Sequence, residues 1–283
     1  MPEIKRQKDL PIAINRGPII ISTTSSVSSR HQISSRAISH APSIGSGSFL
    51  DLRELEVRLP EARAAQRRGL KPGESLFLQD DRVDNVYILL DGWAFRYQDL
   101  KDGRRQIVDF ALPGDVVGLS ETAAAPCGLE ALTPCSFACY SRKAFFELIG
   151  RQPAMGLTLV RMLSLAEARA IEHVTSLGRR TARERVAHLL LELVTRLKRL
   201  NLLADSKSLD LPLMLSHVAD ALGLANETVC RCLSGLRRDG VLVLRERRLK
   251  VLDLRRLADE ANLSETDAFE PGVPATPMRR FAA

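Results

Sequence analysis

From Arg68 to about Tyr140 the chain runs in short apolar stretches broken by glycine. They are Leu70-Lys-Pro-Gly-Glu-Ser-Leu-Phe-Leu, Val86-Tyr-Ile-Leu-Leu-Asp-Gly, Trp93-Ala-Phe-Arg-Tyr, Gln106-Ile-Val-Asp-Phe-Ala-Leu and Ser136-Phe-Ala-Cys-Tyr. Each has the length and β-branched or aromatic content of a strand, and Pro72-Gly73, Asp91-Gly92, Asp102-Gly103 and Pro113-Gly114 between them are turn dipeptides. Turns this frequent leave no room for crossover helices, so the segment is expected to be an antiparallel sandwich or barrel.

From Arg142 the period becomes helical. Val160, Leu163, Glu167, Ala170, Val174 and Leu177 recur at alternating three- and four-residue steps, the seam of a two-helix coil, on a helix of about 24 residues or roughly 36 Å. A two-fold helix pair satisfies that seam; packing on the chain's own β domain is the alternative. Glu167 is out of place in it, since a carboxylate there opposes its own copy unless it is protonated, paired with Arg161 or Arg169, or left in solvent where the helices splay. A second helix, Thr181 to Leu200, aligns Val186, Leu189, Leu190, Leu193, Val194 and Leu197 and is expected to be scaffold.

Between Leu211 and Leu252 the pattern becomes specific. Ser216 to Leu222 places Val218, Ala219 and Leu222 on one helical face, Gly223 interrupts, and Asn226 to Leu236 resumes with Val229, Cys232, Leu233 and Leu236 inward. Two short helices joined by a tight glycine turn form a helix-turn-helix. The outward face of the second helix carries Asn226, Glu227, Cys230 and Arg231. Arg pairs with guanine O6 and N7 and Glu accepts from cytosine N4, so this face has the chemistry of base reading; a solvated ion pair between Glu227 and Arg231 is the simpler alternative. Val241-Leu-Val-Leu, Arg245-Glu-Arg-Arg and Leu249-Lys-Val-Leu then form a hairpin with a basic tip, a wing suited to phosphates. Ser216, His217, Thr228, Arg237, Arg245 and Arg247 are the expected backbone contacts.

Charge agrees with that division. The net +7 is uneven: residues 178–260 hold 17 Lys and Arg against 11 Asp and Glu, whereas residues 49–177 hold 16 against 18. A polyanion partner for the C-terminal part alone follows, and double-stranded DNA fits. Residues 1–48, with eleven serines between Ser22 and Ser48, and the tail 264–283 cannot bury a core and are expected to be disordered. No apolar run is long enough for a membrane span and no signal-type apolar stretch follows Lys5, Arg6 and Lys8, so a cytoplasmic address is expected. Cys127, Cys135, Cys139, Cys230 and Cys232 form no CxxC pair, which suggests reduced thiols. No nucleophile elbow, phosphate loop, zinc-protease or dinucleotide fingerprint occurs, so an enzyme has no positive support.

A glycine-punctuated β-roll, a long helix and a C-terminal winged helix-turn-helix, in that order, resemble the cyclic-AMP receptor protein/FNR superfamily of bacterial transcription regulators. The stretch Leu211-Pro-Leu-Met-Leu-Ser-His-Val-Ala-Asp-Ala-Leu-Gly-Leu-Ala-Asn-Glu-Thr-Val-Cys-Arg is most similar to the FNR and FixK branch. The resemblance covers about residues 68–260 and implies an α+β fold: a β-roll within 49–150, a dimerisation helix at 151–178 and a winged helix-turn-helix at 179–260. It implies a homodimer on a TTGA…TCAA palindrome, with Glu227 and Arg231 on the family's base-reading positions and Cys230 where a serine is usual, and an activator that recruits RNA polymerase. The departures are also specific. Cyclic-nucleotide sensors of this superfamily carry Gly-Glu and then Arg-Ser/Thr-Ala around the phosphate; here Gly118-Leu119 and Ala125-Pro126-Cys127 stand there, with no Lys or Arg between Val116 and Tyr140. No cysteine precedes Cys127, so the iron–sulfur set of FNR is missing. The resemblance thus implies a regulator without cofactor, controlled by its own abundance. An effector-gated regulator binding haem or nitric oxide is the alternative, with His173, His188 and the three β-domain cysteines as candidate ligands. Cys230, beside Arg231 and near a helix N-terminus, is a candidate redox position, or else an inert stand-in for serine.

Overall fold

The computed structural model describes residues 66–122, 124–200 and 209–263. The expectations for 1–48 and 264–283 fall outside the described residues. Eight strands come first: β1 (Gln66–Leu70), β2 (Ser75–Phe77), β3 (Asn85–Asp91), β4 (Ala94–Asp99), β5 (Arg105–Ala111), β6 (Val116–Val117), β7 (Gly128–Ala131) and β8 (Cys135–Ser141). They form two antiparallel sheets, ordered β1-β8-β3-β6 and β2-β7-β4-β5. Leu89, Ala94, Leu129 and Phe137, each 1% exposed or less, fill the space between them. At Gly92, φ is +92°, and a Cβ would collide with the Pro134 carbonyl. Only glycine permits that turn between β3 and β4.

Ser141 caps α1 (Arg142–Arg151) by accepting from the Ala144 N–H at 3.2 Å, and Phe145 and Leu148 pin the helix to the first sheet. Pro153, suited to a first helical turn, then opens a separate helix, α2 (Pro153–Arg179). Its 27 residues span roughly 40 Å.

Along α2, Val160, Leu163, Glu167, Ala170 and Val174 are all exposed, as the seam requires. Leu157 and Ile171, absent from that seam, share the open face at 67% and 59% exposure. Leu177, the last residue of the expected seam, has different surroundings. It is half-buried, and its Cδ2 lies 3.8 Å from where a Cβ at Gly223 would stand, because the C-terminal domain covers that flank of the helix.

The helix stops at Arg180, which leaves helical geometry (φ −77°, ψ 146°) and turns its side chain back, 8% exposed. The guanidinium donates to Ser176 Oγ at 2.8 Å and to Glu172 Oε2 at 2.7 Å. Thr181 and Glu184 then make a reciprocal capping box that starts α3 (Ala182–Arg199). Val186, Leu190, Leu193 and Leu197 of α3 are buried, as its periodicity requires.

The remaining elements are β9 (Leu209–Asp210), α4 (Leu215–Leu222), α5 (Asn226–Arg238), β10 (Leu242–Arg245), β11 (Arg248–Val251) and α6 (Leu254–Glu260), with a small sheet ordered β10-β11-β9. This is an α+β chain. Its largest hydrophobic cluster runs from Phe95, Tyr97, Ile107 and Phe110 on the outer face of the second sheet into Leu190, Val218, Leu222 and Val229. The β-roll and the C-terminal domain therefore share one continuous core.

Candidate nucleic-acid interface

Helix α4 buries Val218, Ala219, Ala221 and Leu222 and ends at Gly223 in the left-handed region (φ 60°, ψ 40°). The Leu224 N–H donates back to the Ala219 carbonyl at 3.1 Å and closes the turn. Helix α5 begins three residues later with Val229 and Leu236 fully buried and Cys232 and Leu233 half-buried. Gly235 on its inner side lies against Arg183, which holds Asp239 at 2.7 Å and Glu260 at 2.5 Å and so ties α3 to the ends of α5 and α6. The guanidinium keeps the Asp239 carboxyl below its usual range.

With that face fixed, the other points outward. Asn226, Glu227, Cys230 and Arg231 are all exposed, and Ser234, Arg237 and Arg238 extend the same surface. Arg231 donates to Thr228 Oγ1 at 3.3 Å. Among the described residues no ion pair joins Glu227 to Arg231, so the simple alternative of a mutually satisfied pair is not what the structure holds.

Two-residue hairpins favour paired left-handed residues. The wing has them: Glu246 and Arg247, at φ +50° and +61°, join β10 to β11 and present Arg245, Arg247 and Arg248 to solvent. The Leu211 N–H donates to the Arg247 carbonyl at 2.7 Å, and Arg248 reaches Asp210 at 3.1 Å, so β9 braces the hairpin from one side. Sequence reasoning left Arg248, Lys250, Ser234 and Arg238 out of the contact set. The basic tip Arg245, Arg247 and Arg248, and the three- and four-residue steps from Arg231 to Ser234 and on to Arg238, were signals for three of them.

His217, an expected backbone contact, is half-buried. Its ring lies 5.5 Å from that of Phe95 on β4, its Nδ1 accepts from the Met214 N–H at 3.2 Å, and burial pushes its pKa down. It belongs to the junction with the β-roll, where Gln106 also donates to the Ala221 carbonyl at 2.9 Å. Ser216 is half-buried beside it, and Thr228 is half-buried under Arg231. His188, a candidate haem ligand, is buried with its Nε2 3.3 Å from Glu172 Oε2; burial pushes its pKa down to about 4, so the neutral ring donates to that carboxylate. Among the described residues no three His, Cys, Asp or Glu side chains come together as a metal set.

In the β-roll, the loop after β6 turns at Gly118 (φ +82°). Arg142 from α1 donates to the carbonyls of Val83, Gly118 and Ser120 at 3.2, 3.1 and 2.8 Å. This guanidinium is directed at backbone oxygens. Among the described residues no helix is long and apolar enough to cross a membrane.

A strand roll, a long helix and a C-terminal helical domain with a basic wing define a DNA-binding regulator of the winged helix-turn-helix class. Known proteins place it further. The cyclic nucleotide-binding domain signature matches residues 67–152 and the Crp-like helix-turn-helix domain matches residues 184–260. The chain is 36% identical over 210 residues to the transcriptional activator protein FnrL of Cereibacter sphaeroides, covering 73% of this chain and 83% of that protein. It is 33% identical over 208 residues to the nitrogen fixation regulation protein FixK of Bradyrhizobium diazoefficiens, covering 73% and 84%. The solved structure of FixK2 from Bradyrhizobium japonicum superposes with a TM-score of 0.62 at 33% identity, over 69% of this chain and 96% of that one. The chain belongs to the CRP/FNR family of transcription regulators, in its FNR/FixK branch, and is not an enzyme.

Proposed function

We propose that this regulator acts as a homodimer on a TTGA…TCAA-like palindrome, as an activator working with RNA polymerase, and that it needs neither a cyclic nucleotide nor an iron–sulfur cluster to do so. The observation that carries the proposal is the exposed face of α5. Glu227 and Arg231 stand one turn apart on it, unpaired with each other and one wing away from a row of arginines. Base-edge groups at the centre and phosphate-seeking cations at the flank are the division of labour that sequence reading needs. Dimerisation is supported by the open stripe of Leu157, Val160, Ile171 and Val174 on α2, which no element of the chain covers among the described residues and which suits a second copy, as is typical of the family. Two such copies hold their recognition helices about one helical turn of DNA apart.

Independence from a cyclic nucleotide is supported by Arg142, the basic side chain at that loop, being directed at carbonyls rather than left for a phosphate. Selection of binding sites from random duplexes tests the whole reading. Enrichment of a two-fold TTGA…TCAA element by untreated protein is the expected result. Enrichment of an unrelated or unsymmetrical site, or none without an added nucleotide, contradicts it.

A further inference from the structure

Helix α5 is fixed at its N-terminal end by the Gly223 turn. Its other end is held by Arg183, in the first turn of α3. Arg183 Nε donates to Glu260 Oε2 at 2.6 Å and Nη2 to Glu260 Oε1 at 2.5 Å, a two-pronged grip on the last residue of α6. Nη2 also donates to Asp239 Oδ2 at 2.7 Å. Asp239 is the residue that ends α5, its N–H donating to the Gly235 carbonyl at 2.9 Å. Paired donors on a carboxylate fix an orientation as well as a charge, which the single ammonium of a lysine does not.

Gly235 shows how closely that guanidinium lies on α5. Glycine inside a helix is less favourable than alanine, yet Gly235 stands in the third turn of α5 and is buried. A Cβ there would lie 2.8 Å from Arg183 Nη1 and 3.9 Å from Arg183 Cζ. A guanidinium on a free side chain would swing clear. This one is tethered through two of its three nitrogens to two carboxylates, so the missing Cβ and the grip form one device. Gly235 is four residues from Arg231, which puts the device one helical turn from the face proposed to read bases. Three residues before Arg183, Arg180 donates to Ser176 and Glu172 of α2. The first turn of α3 therefore ties the long helix on one side to α5 on the other.

We propose that Arg183, seated in the space that Gly235 leaves, is a positioning residue for sequence selection: it sets the tilt of α5 at which Glu227 and Arg231 meet base edges. This role rests on the proposed reading of bases by α5. Hydrogen bonds to base edges are directional and tolerate little displacement, whereas long basic side chains follow a phosphate that shifts. Released at its C-terminal end, α5 tilts about the Gly223 turn and carries Arg231 off its partner, while Arg245 and Arg247 of the wing stay on the DNA backbone. Loss of the grip therefore lowers the preference among sequences and leaves affinity for DNA in general.

Anisotropy of the full chain on the TTGA…TCAA duplex and on a scrambled duplex is the test, at a temperature where urea melts show each variant folded. Arg183→Gln should lower the ratio of the two affinities about tenfold or more. Gly235→Ala keeps every charge and favours the helix, yet by displacing the guanidinium it should lower the ratio comparably, with affinity for the scrambled duplex within about threefold of the parent. Combined with Arg183→Gln, Gly235→Ala should have no further effect, because the group it displaces is already gone. If the Arg183→Gln protein does not fold, Gly235→Ala decides alone. An unchanged ratio in a folded variant would make the grip a matter of stability only and overturn the proposal. Equal losses on both duplexes, or losses that add in the double variant, would overturn it as well. Arg231→Ala separates the two readings. If it lowers the ratio while the other two variants do not, the positioning role alone fails; if it too leaves the ratio unchanged, base reading by α5 fails and this role with it.

Discussion

Truncating Val174 to alanine probes the open face of α2 with little disturbance elsewhere, since the side chain is 69% exposed and supports no core of its own. The change removes two carbons, worth about 1.6 kcal/mol if fully buried at ~0.8 kcal/mol per carbon. Scaled by the 69% of the side chain that a partner can cover, that is about 1.1 kcal/mol per chain. A two-fold dimer contains the position twice, so dissociation should become easier by about 2.2 kcal/mol, or roughly 40-fold in the dimer Kd. Sedimentation equilibrium across a concentration series reads this directly. Thermal unfolding at concentrations where both proteins are monomeric should be unchanged. An unchanged dimer constant, or a fall in monomer stability instead, would refute the assignment of this face to a second copy.

Other outcomes follow from the same geometry. Arg231→Ala should cost about 1–3 kcal/mol of affinity for the preferred duplex and relax preference at one base pair, which a panel of single-substitution duplexes will read; a loss uniform over the panel would contradict base reading. Arg247→Ala at the wing tip should weaken all sequences alike and lower the slope of log affinity against log salt by about one; unequal losses would contradict a phosphate contact. Glu192→Gln should stabilise the protein. The folded Glu192 carboxyl, raised by burial, titrates at about 6 against 4.5 when exposed, so the folded state holds the extra proton between these values and loses stability as pH rises through them. The substitution should add about 2 kcal/mol at pH 8, nothing below about pH 4, and remove that slope from urea-melt midpoints; a variant less stable than the parent at pH 8 would contradict it.

What the sequence conveyed, it conveyed through local patterns. The β3 and β4 strands, the Gly223 turn and the inward set Val229, Cys232, Leu233 and Leu236 all arise from spacings within a dozen residues, where helix and strand periods are direct. What local pattern does not convey is tertiary contact. Leu177 fits a heptad but lies where the C-terminal domain covers α2, and His217 has the position of a phosphate contact but turns toward Phe95. A break before the long helix was legible in Pro153, yet the continuous helical period across it concealed a separate α1. The ionic junction of β5 with α2 and α3 gave no signal at all: Asp109 meets Arg169 and Arg196 across 60 and 87 residues, and no short pattern links positions so far apart.

The central claim is that this chain reads DNA unaided. Fluorescence anisotropy of reduced, full-length protein at physiological salt, with nothing added, against a labelled TTGA…TCAA duplex and a scrambled duplex of equal length tests it most directly. Binding of the palindrome at least about a thousandfold tighter than the scrambled duplex is the predicted result. Equal, weak binding to both, turned into selective binding only by an added cyclic nucleotide, would contradict the account.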